Sequence, residues 1–253
     1  MEKNSYKDYL MVFDYHTHTT FSHGKGSIED NVKAAAAAGL SAVAITDHGS
    51  GHLTYGVKRS DLPVMRKEVD RLKPLYPDIQ IYLGVEANIV SVGNYLDVRD
   101  EELQYFDFII GGYHYGIPKG YCAANWLYAH GLVPSGYGKK LMVKNTDMTV
   151  KALYENDLKI LTHPGDKGPF DIREIARACQ ETDTLMEIST WHAHLTVEEI
   201  RIAADFDVKF VISSDAHTPN RVGSFAGGIE RALAAGLDMN RIVNIVKREH
   251  LEN

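Results

Sequence analysis

Cysteine is nearly missing from this chain of 253 residues: Cys122 and Cys179 are the two, and they are too far apart for a CxxC pair. That excludes a disulfide framework and a thiolate zinc knuckle, and it fits reduced thiols in a cytoplasmic protein. A block of lysine or arginine is missing as well. With 27 basic against 34 acidic residues the formal net charge is -7, so no stripe for a stable nucleic-acid partner is expected, although a nucleotide or short oligonucleotide end stays open as a substrate. No apolar run is long enough to span a bilayer. Residues 1–11 are polar and mixed in charge and lack the apolar stretch of a secretion signal, so no membrane partner is expected.

What the chain does have is histidine, 12 residues, most of them at the ends of strand-like runs. The run Phe13-Asp14-Tyr15-His16-Thr17-His18-Thr19 reads as a strand ending in two histidines at period two, which turns both imidazoles to one face. Ser27 with Asp30 makes a capping-box pattern for a helix through Val32 and the alanines that follow, stopped by Gly39. Ala42-Val43-Ala44-Ile45-Thr46 is a strand without alternation, as expected when both faces are covered, and it ends in Asp47-His48-Gly49. Further strands over 79–85, 106–112, 159–161, 184–186 and 208–212 end in Glu86-Ala87-Asn88, Tyr113-His114, Thr162-His163-Pro164-Gly165, Glu187-Ile188-Ser189 and Ser214-Asp215-Ala216-His217. Helices are expected over 62–76, 147–155, 171–180, 197–204, 227–235 and 240–248, with a short one closing at 103–105.

The stretch 115–146 breaks this rhythm, being rich in glycine and tyrosine and carrying Trp126 and the pair Lys139-Lys140. It is expected to be a functional loop or lid within one domain that spans 1–253. About seven strand-helix units in alternation imply a parallel sheet. Polar residues at the C-terminal strand ends imply an α/β architecture of the TIM-like barrel type with its active site on that face. An open doubly wound sheet is the alternative, but it would have to collect ligands from nearly every strand into a single crevice.

His16, His18, His23, His48, Glu86, His114, His163, Asp215 and His217 are candidate metal ligands. One catalytic zinc takes about three protein ligands, so this set suggests two or three divalent metals sharing bridging carboxylates. Nitrogen and oxygen donors without thiolate suit Zn, Mn or Fe. Asp47, next to His48, points the other way and reads as a partner orienting a ligand or as a structural cap.

These motifs, as an ordered set over nearly the whole chain, resemble the PHP family, named for polymerase and histidinol phosphatase, and most of all its stand-alone bacterial phosphoesterases. The resemblance implies a distorted seven-stranded barrel, a distorted (β/α)7 TIM-like fold. It also implies that His16, His18, Glu86 and Asp215 hold one metal, that Glu86 bridges to a second held by His114 and His163, and that His23, His48 and His217 hold a third. The expected reaction is hydrolysis of a phosphate ester by a metal-activated hydroxide, with Glu86, Asp215 and His217 as the catalytic groups and Asp215 or His217 protonating the leaving oxygen. Arg221 and Lys167, each four residues past a ligand histidine, are expected to clamp phosphate. His192 and His194 reach substrate or sit on the rim, while His52, His130 and His250 are expected at the surface. Histidinol phosphate, nucleotides and oligonucleotide ends are the candidate substrates, with Trp126 and the tyrosines of 115–146 available to stack on a ring. An amidohydrolase-type hydrolase and a non-enzymatic metal-binding regulatory domain are the alternatives. The first would place a bridging lysine at the end of the fourth strand, where Gly111-Gly112-Tyr113-His114-Tyr115 has none.

Overall fold

The computed structural model describes residues 5–134 and 136–250. A short strand β1 (Tyr9–Met11) leads into β2 (Phe13–Asp14), α1 (Ile28–Ala37), β3 (Ala42–Ile45), α2 (Leu62–Leu72), β4 (Gln80–Asn88) and β5 (Phe108–Gly112). Then come α3 (Cys122–Ala129), α4 (Tyr137–Glu155), β6 (Leu158–Leu161), α5 (Ile172–Glu181), β7 (Leu185–Ser189), α6 (Val197–Ala204), β8 (Phe210–Ser213), α7 (Ala226–Ala235) and β9 (Ile245–Lys247). Strands β2 to β8 are parallel neighbours in sequence order. A parallel bridge between Thr17 and Ala216 joins the first to the last at their C-terminal ends. The result is the nearly closed seven-stranded barrel that the sequence implies, flanked by helices.

The helix starts follow local chemistry. Ser27 caps α1 with Asp30 reciprocating, Asp171 caps α5, and Thr196 with Glu199 forms a capping box on α6. Each satisfies amide groups that the first turn leaves without partners. On β4, Ile81, Leu83 and Val85 pack outward toward the helices. The alternate residue Tyr82 joins the lumen cluster of Tyr15, Ala42, Ala44, Ile110, Ile160 and Val211. Period two then turns Glu86 into the lumen above that apolar floor, and the same count carries Glu187 up from Leu185 and Asp215 from Val211.

Two stretches differ from the sequence expectation. Within 115–146 there are α3 and the first half of α4, so the helix expected over 147–155 begins ten residues earlier, at Tyr137. Its buried positions Leu141, Asn145 and Met148 recur at helical spacing, a period that the glycines of the preceding stretch obscure. The helix expected over 240–248 is replaced by a turn at Met239–Arg241 and by β9, which pairs antiparallel with β1. The run Ile242, Val243, Ile245 and Val246 is β-branched and favours extended backbone. Between these elements Asn244, fully buried, acts as a wedge in the open seam of the barrel. Its amide donates to Phe13 O at 2.8 Å and to Ile212 O at 2.6 Å, and its Oδ1 accepts from Ile212 N at 3.0 Å. The backbone of the same segment adds to it, Val243 N donating to Phe210 O and Val12 N to Asn244 O, each at 2.9 Å.

Replacing Asn244 with Ala leaves buried backbone groups of β2 and β8 without partners. The expected loss is on the order of 3 kcal/mol of unfolding free energy, read from the denaturant midpoint. An unchanged midpoint would contradict the seam role.

Candidate metal centre

The C-terminal strand ends bring nine side chains to one place. His16 and His18 follow β2, His48 follows β3, Glu86 lies in β4, His114 follows β5, His163 follows β6, and Asp215 and His217 follow β8. His23 arrives from the loop after His18. Asp47 fixes that loop by accepting from Thr19 N at 2.7 Å and Thr19 Oγ1 at 2.6 Å and from the Ser22 hydroxyl. Of its two expected roles, Asp47 therefore takes the structural one.

Glu86 is the hub. Its Oε1 lies 3.3 Å from His16 Nε2, 3.2 Å from His114 Nε2 and 3.1 Å from His163 Nε2, and its Oε2 lies 2.9 Å from His48 Nδ1 and 3.6 Å from His18 Nε2. Asp215 Oδ1 stands 3.1 Å from His18 Nε2 and 3.6 Å from His16 Nε2. The donors of His16, His18 and Asp215, of His18, His48 and His217, and of His48, Glu86 and His114 form three close sets, and His163, His192 and Asp215 form a fourth. His23 stacks at 4.9 Å on His48 and lies 4.2 Å from His217 by ring centroids.

The fit to divalent ions is tested by the nitrogens. His16 and His18 bring their Nε2 atoms to 3.2 Å, and His114 and His163 bring theirs to 3.3 Å. A shared proton suits that range, and so does one cation held by both nitrogens. Tetrahedral coordination with bonds near ~2.05 Å puts two ligand atoms about 3.3 Å apart. Facing the same space, His48 Nδ1, Glu86 Oε2 and Asp215 Oδ1 are buried without an aligned hydrogen bond, a loss of about 1–3 kcal/mol each unless something else satisfies them. His163 and Asp215 hold left-handed backbone, with φ of 30° and 49°, strain of the kind that collects at functional sites.

The ligand rings are aimed by a surrounding shell, most of which carried no role in the sequence reading. Glu187 Oε1 binds His16 Nδ1 at 2.7 Å while its Oε2 accepts from His163 N at 2.7 Å. Asn88 Oδ1 binds His114 Nδ1 at 2.8 Å, and Asp97 in turn holds the Asn88 amide at 2.6 Å. Thr162 Oγ1 donates to Glu86 Oε1 at 2.8 Å. The contacts to His16 Nδ1 and His114 Nδ1 each orient a ring and turn its other nitrogen inward. Gly112 has to be glycine because a Cβ there would meet Thr162 Oγ1 at 2.2 Å and Glu86 Oε1 at 3.1 Å.

Electrostatics prepare the donors. Burial lowers His114 to about 3 against the pull of Glu86, and burial with His217 nearby lowers His23 to about 4. His18 is pushed well down by burial and by His48. These rings are neutral at physiological pH, the form that ligates. His16 goes the other way: burial opposes its proton, but Glu86, Glu187 and Asp215 together raise it well above its ordinary value. Burial pushes Glu86 and Asp215 up, but the imidazoles around them prevail and hold both carboxylates well down.

The donors open into a cleft of about 300 Å³ that is also lined by His52, Tyr55, Tyr115, Lys167, Trp191 and His192. His52 is a correction to the expected surface position. It is buried and stacks on His48 and on Tyr55 at 5.6 and 4.9 Å. His130 is exposed as expected, and the side chain of His250 lies outside the described residues. Lys167 faces the cleft with its ammonium 2.6 Å from Asp166. His192 is held between Asp166 Oδ2 at 3.0 Å and Asp215 Oδ2 at 3.1 Å, whereas His194 turns away to Glu199 at 2.9 Å. Arg221 lies over the Trp191 ring at 4.7 Å. Of the stretch 115–146, Tyr115 lines the cleft. Trp126 instead stacks on His130 at 4.1 Å, and Lys139 and Lys140 belong to the first turn of α4.

Comparison with known proteins gives the centre its context. Residues 14–195 match the PHP domain family. A probable phosphatase of Proteus mirabilis is 25% identical over 251 residues, covering 94% of this chain and 92% of the relative. One of Acetivibrio thermocellus is 29% identical over 226 residues, covering 85% and 83%. Among solved structures, the histidinol phosphate phosphatase of Lactococcus lactis, complexed with zinc, L-histidinol and phosphate, superposes with a TM-score of 0.60 at 18% identity, covering 90% of this chain and 95% of that one.

Two outcomes follow from the geometry. Glu187→Gln keeps the shape but removes the charge behind His16, and metal affinity should fall by roughly 10–100-fold, as measured by competition with a chromogenic chelator; unchanged affinity would deny the shell its role. The proton that His16 carries has to leave when a metal binds, so apparent affinity should climb with pH until His16 is already neutral. Calorimetry in two buffers of different ionisation enthalpy should then count about one proton released from His16, and a count of zero would contradict the assigned protonation.

Proposed function

The chain belongs to the PHP domain family, and on that premise we propose that its centre hydrolyses small phosphate esters with two or three divalent ions, drawn from Zn, Mn or Fe. The observation that carries this reading is Glu86, one buried carboxylate whose two oxygens meet five imidazoles from four other strand ends. That is the geometry of a bridging ligand. His16, His18, Glu86 and Asp215 would hold one ion, Glu86, His114 and His163 a second, and His23, His48 and His217 a third. When bound, such ions supply Lewis acidity, activating water near neutral pH and neutralising phosphoryl charge.

The chain's own groups do the rest. A water oxygen bonds to phosphorus as the bond to the leaving oxygen breaks, and that oxygen then needs a proton. Asp215 and His217, both unprotonated at the cleft edge, are the groups assigned to supply it, by taking the proton that the attacking water sheds and passing it to that oxygen, with Asp215 held in place by His192 Nε2. Lys167, His192 and Arg221 are assigned to the phosphoryl oxygens. The buried Nε of Arg221 has no hydrogen-bond partner among the described residues, which leaves its fork free for an anion. The likeness to the Lactococcus lactis enzyme in fold makes histidinol phosphate one candidate substrate, and nucleotides or oligonucleotide ends are others. We assign 115–146 as a lid over one domain, on the strength of Tyr115 at the cleft and the exposed helical tip beyond it. Both cysteines are free, and on the strength of reduced thiols we assign the protein to the cytoplasm; among the described residues no helix is long and apolar enough to cross a membrane.

The test is phosphate release from a panel of phosphomonoesters by manganese- or zinc-loaded protein, with a chelated control. Loaded protein should turn over and chelated protein should not, and His16→Ala should lose more than about 100-fold in rate with its fold retained by circular dichroism. Full activity in the chelated protein, or in His16→Ala, would overturn the assignment.

A further inference from the structure

The helical insertion at 115–146 meets the barrel through two asparagines. Asn125 of α3 and Asn145 of α4 are both fully buried, and their amides clasp each other head to head. Asn145 donates to Asn125 Oδ1 at 2.8 Å, and Asn125 donates to Asn145 Oδ1 at 3.0 Å. Each amide has one hydrogen left over. That of Asn125 goes to the Tyr113 hydroxyl at 2.8 Å, with Tyr121 O at 3.3 Å as a weaker acceptor, and that of Asn145 goes to Pro169 O at 3.0 Å. Tyr113 directly precedes the ligand His114, and Pro169 belongs to the loop after β6 that carries Asp166 and Lys167. A buried amide pair with all its hydrogens bound is rigid, because any shift leaves a polar atom without a partner.

The loop is shaped around this clasp. Gly168 sits so close to it that a Cβ would meet Asn125 Oδ1 at 2.5 Å and Asn145 Nδ2 at 2.9 Å. Lys167, just before, holds left-handed backbone with φ of 64°, a conformation that an L residue keeps only where its neighbours impose it. Beyond the clasp, Asp171 N is fastened to Thr146 Oγ1 of α4 at 2.9 Å, and Phe170 packs edge-on against Tyr113 at 5.7 Å. The other end of the loop reaches the cleft. There Asp166 Oδ2 takes Lys167 Nζ at 2.6 Å and His192 Nδ1 at 3.0 Å, so two of the groups assigned to the phosphoryl oxygens hang from one carboxylate.

We propose that Asn125 and Asn145 are positioning residues for phosphate binding: their clasp fixes the segment of Asp166 and Lys167, and through Asp166 also His192, before the substrate arrives. This rests on the phosphoesterase reading and adds to it a second task for the insertion, whose root braces the phosphate loop while its exposed tip stays available as the lid. Groups held in place in advance bind an anion without a further ordering loss.

The probe is inorganic phosphate, titrated by calorimetry into metal-loaded protein. Lys167→Ala should weaken its binding about tenfold or more, the worth of one charge-assisted hydrogen bond. Asn145→Ala should weaken it by a similar factor, and the double variant should lose little beyond either single one, since both remove the same contact. Metal affinity, read by chelator competition, should stay unchanged, and in turnover KM for a phosphomonoester should rise more than kcat falls. Should Asn145→Ala fail to fold, Gly168→Ala pushes a methyl into the same clasp from the loop side and carries the same expectation. Unchanged phosphate affinity in Lys167→Ala or in both clasp variants, or losses that multiply in full in the double variant, overturns the positioning role, as does a loss of metal in step with the loss of phosphate. Clasp-dependent phosphate binding without turnover of any ester instead overturns the phosphoesterase reading and leaves the positioning role standing.

Discussion

A carboxylate buried in the lumen of a barrel among five imidazoles is the constraint on which the rest of this structure depends. Glu86 is inaccessible to water, and its ionised form survives there because of the rings around it. Removing those rings would leave an unpaired charge in a low-dielectric interior. Pairs of those rings bring their nitrogens to 3.2 and 3.3 Å, a separation that a shared cation fits. Divalent ions would suit both the carboxylate and the paired nitrogens, and the apolar floor of Tyr15, Ala44, Ile110, Ile160 and Val211 beneath them keeps the site dry from below.

Stability elsewhere is arranged to hold that constellation still. Asp14 joins β2 to the β8 loop through Ser214 N and Gly223 N at 3.2 and 2.9 Å, so the first and last strands, which carry His16 and Asp215, cannot drift apart. Asn244 closes the seam below them. Glu187 spans the lumen and ties one ligand ring to the backbone of another. Local strain at His163 and Asp215 is tolerated because these neighbours determine the backbone there.

The cluster of strand-end histidines and carboxylates was legible in the sequence because strand geometry makes it so. A histidine or carboxylate at the end of a parallel strand has to point toward the axis or the helices, and the period-two pairs His16-His18 and Asp215-His217 show which. Their partners were harder to see. Glu187, Asn88 and Asp97 are single polar residues whose only signal is position, and a strand-end acid that orients a ring looks in sequence like one that caps a turn. His52 was read as a surface residue because nothing in its neighbourhood tells that Gly116 leaves space for its ring. The 240–248 segment was read as a helix from its place in the alternation, while its β-branched residues argued for extended chain. The aromatic wall of the cleft, Trp191 and Tyr55, comes from two loops far apart in sequence, and no spacing rule connects them.

Anomalous diffraction from crystals of the manganese- or zinc-loaded protein tests the central claim most directly. The account predicts two ions about 3.5–4 Å apart with Glu86 coordinating both, one shared with His16 and His18 and the other with His114 and His163. Ions bound away from Glu86, or a Glu86 carboxylate that coordinates none, would contradict it.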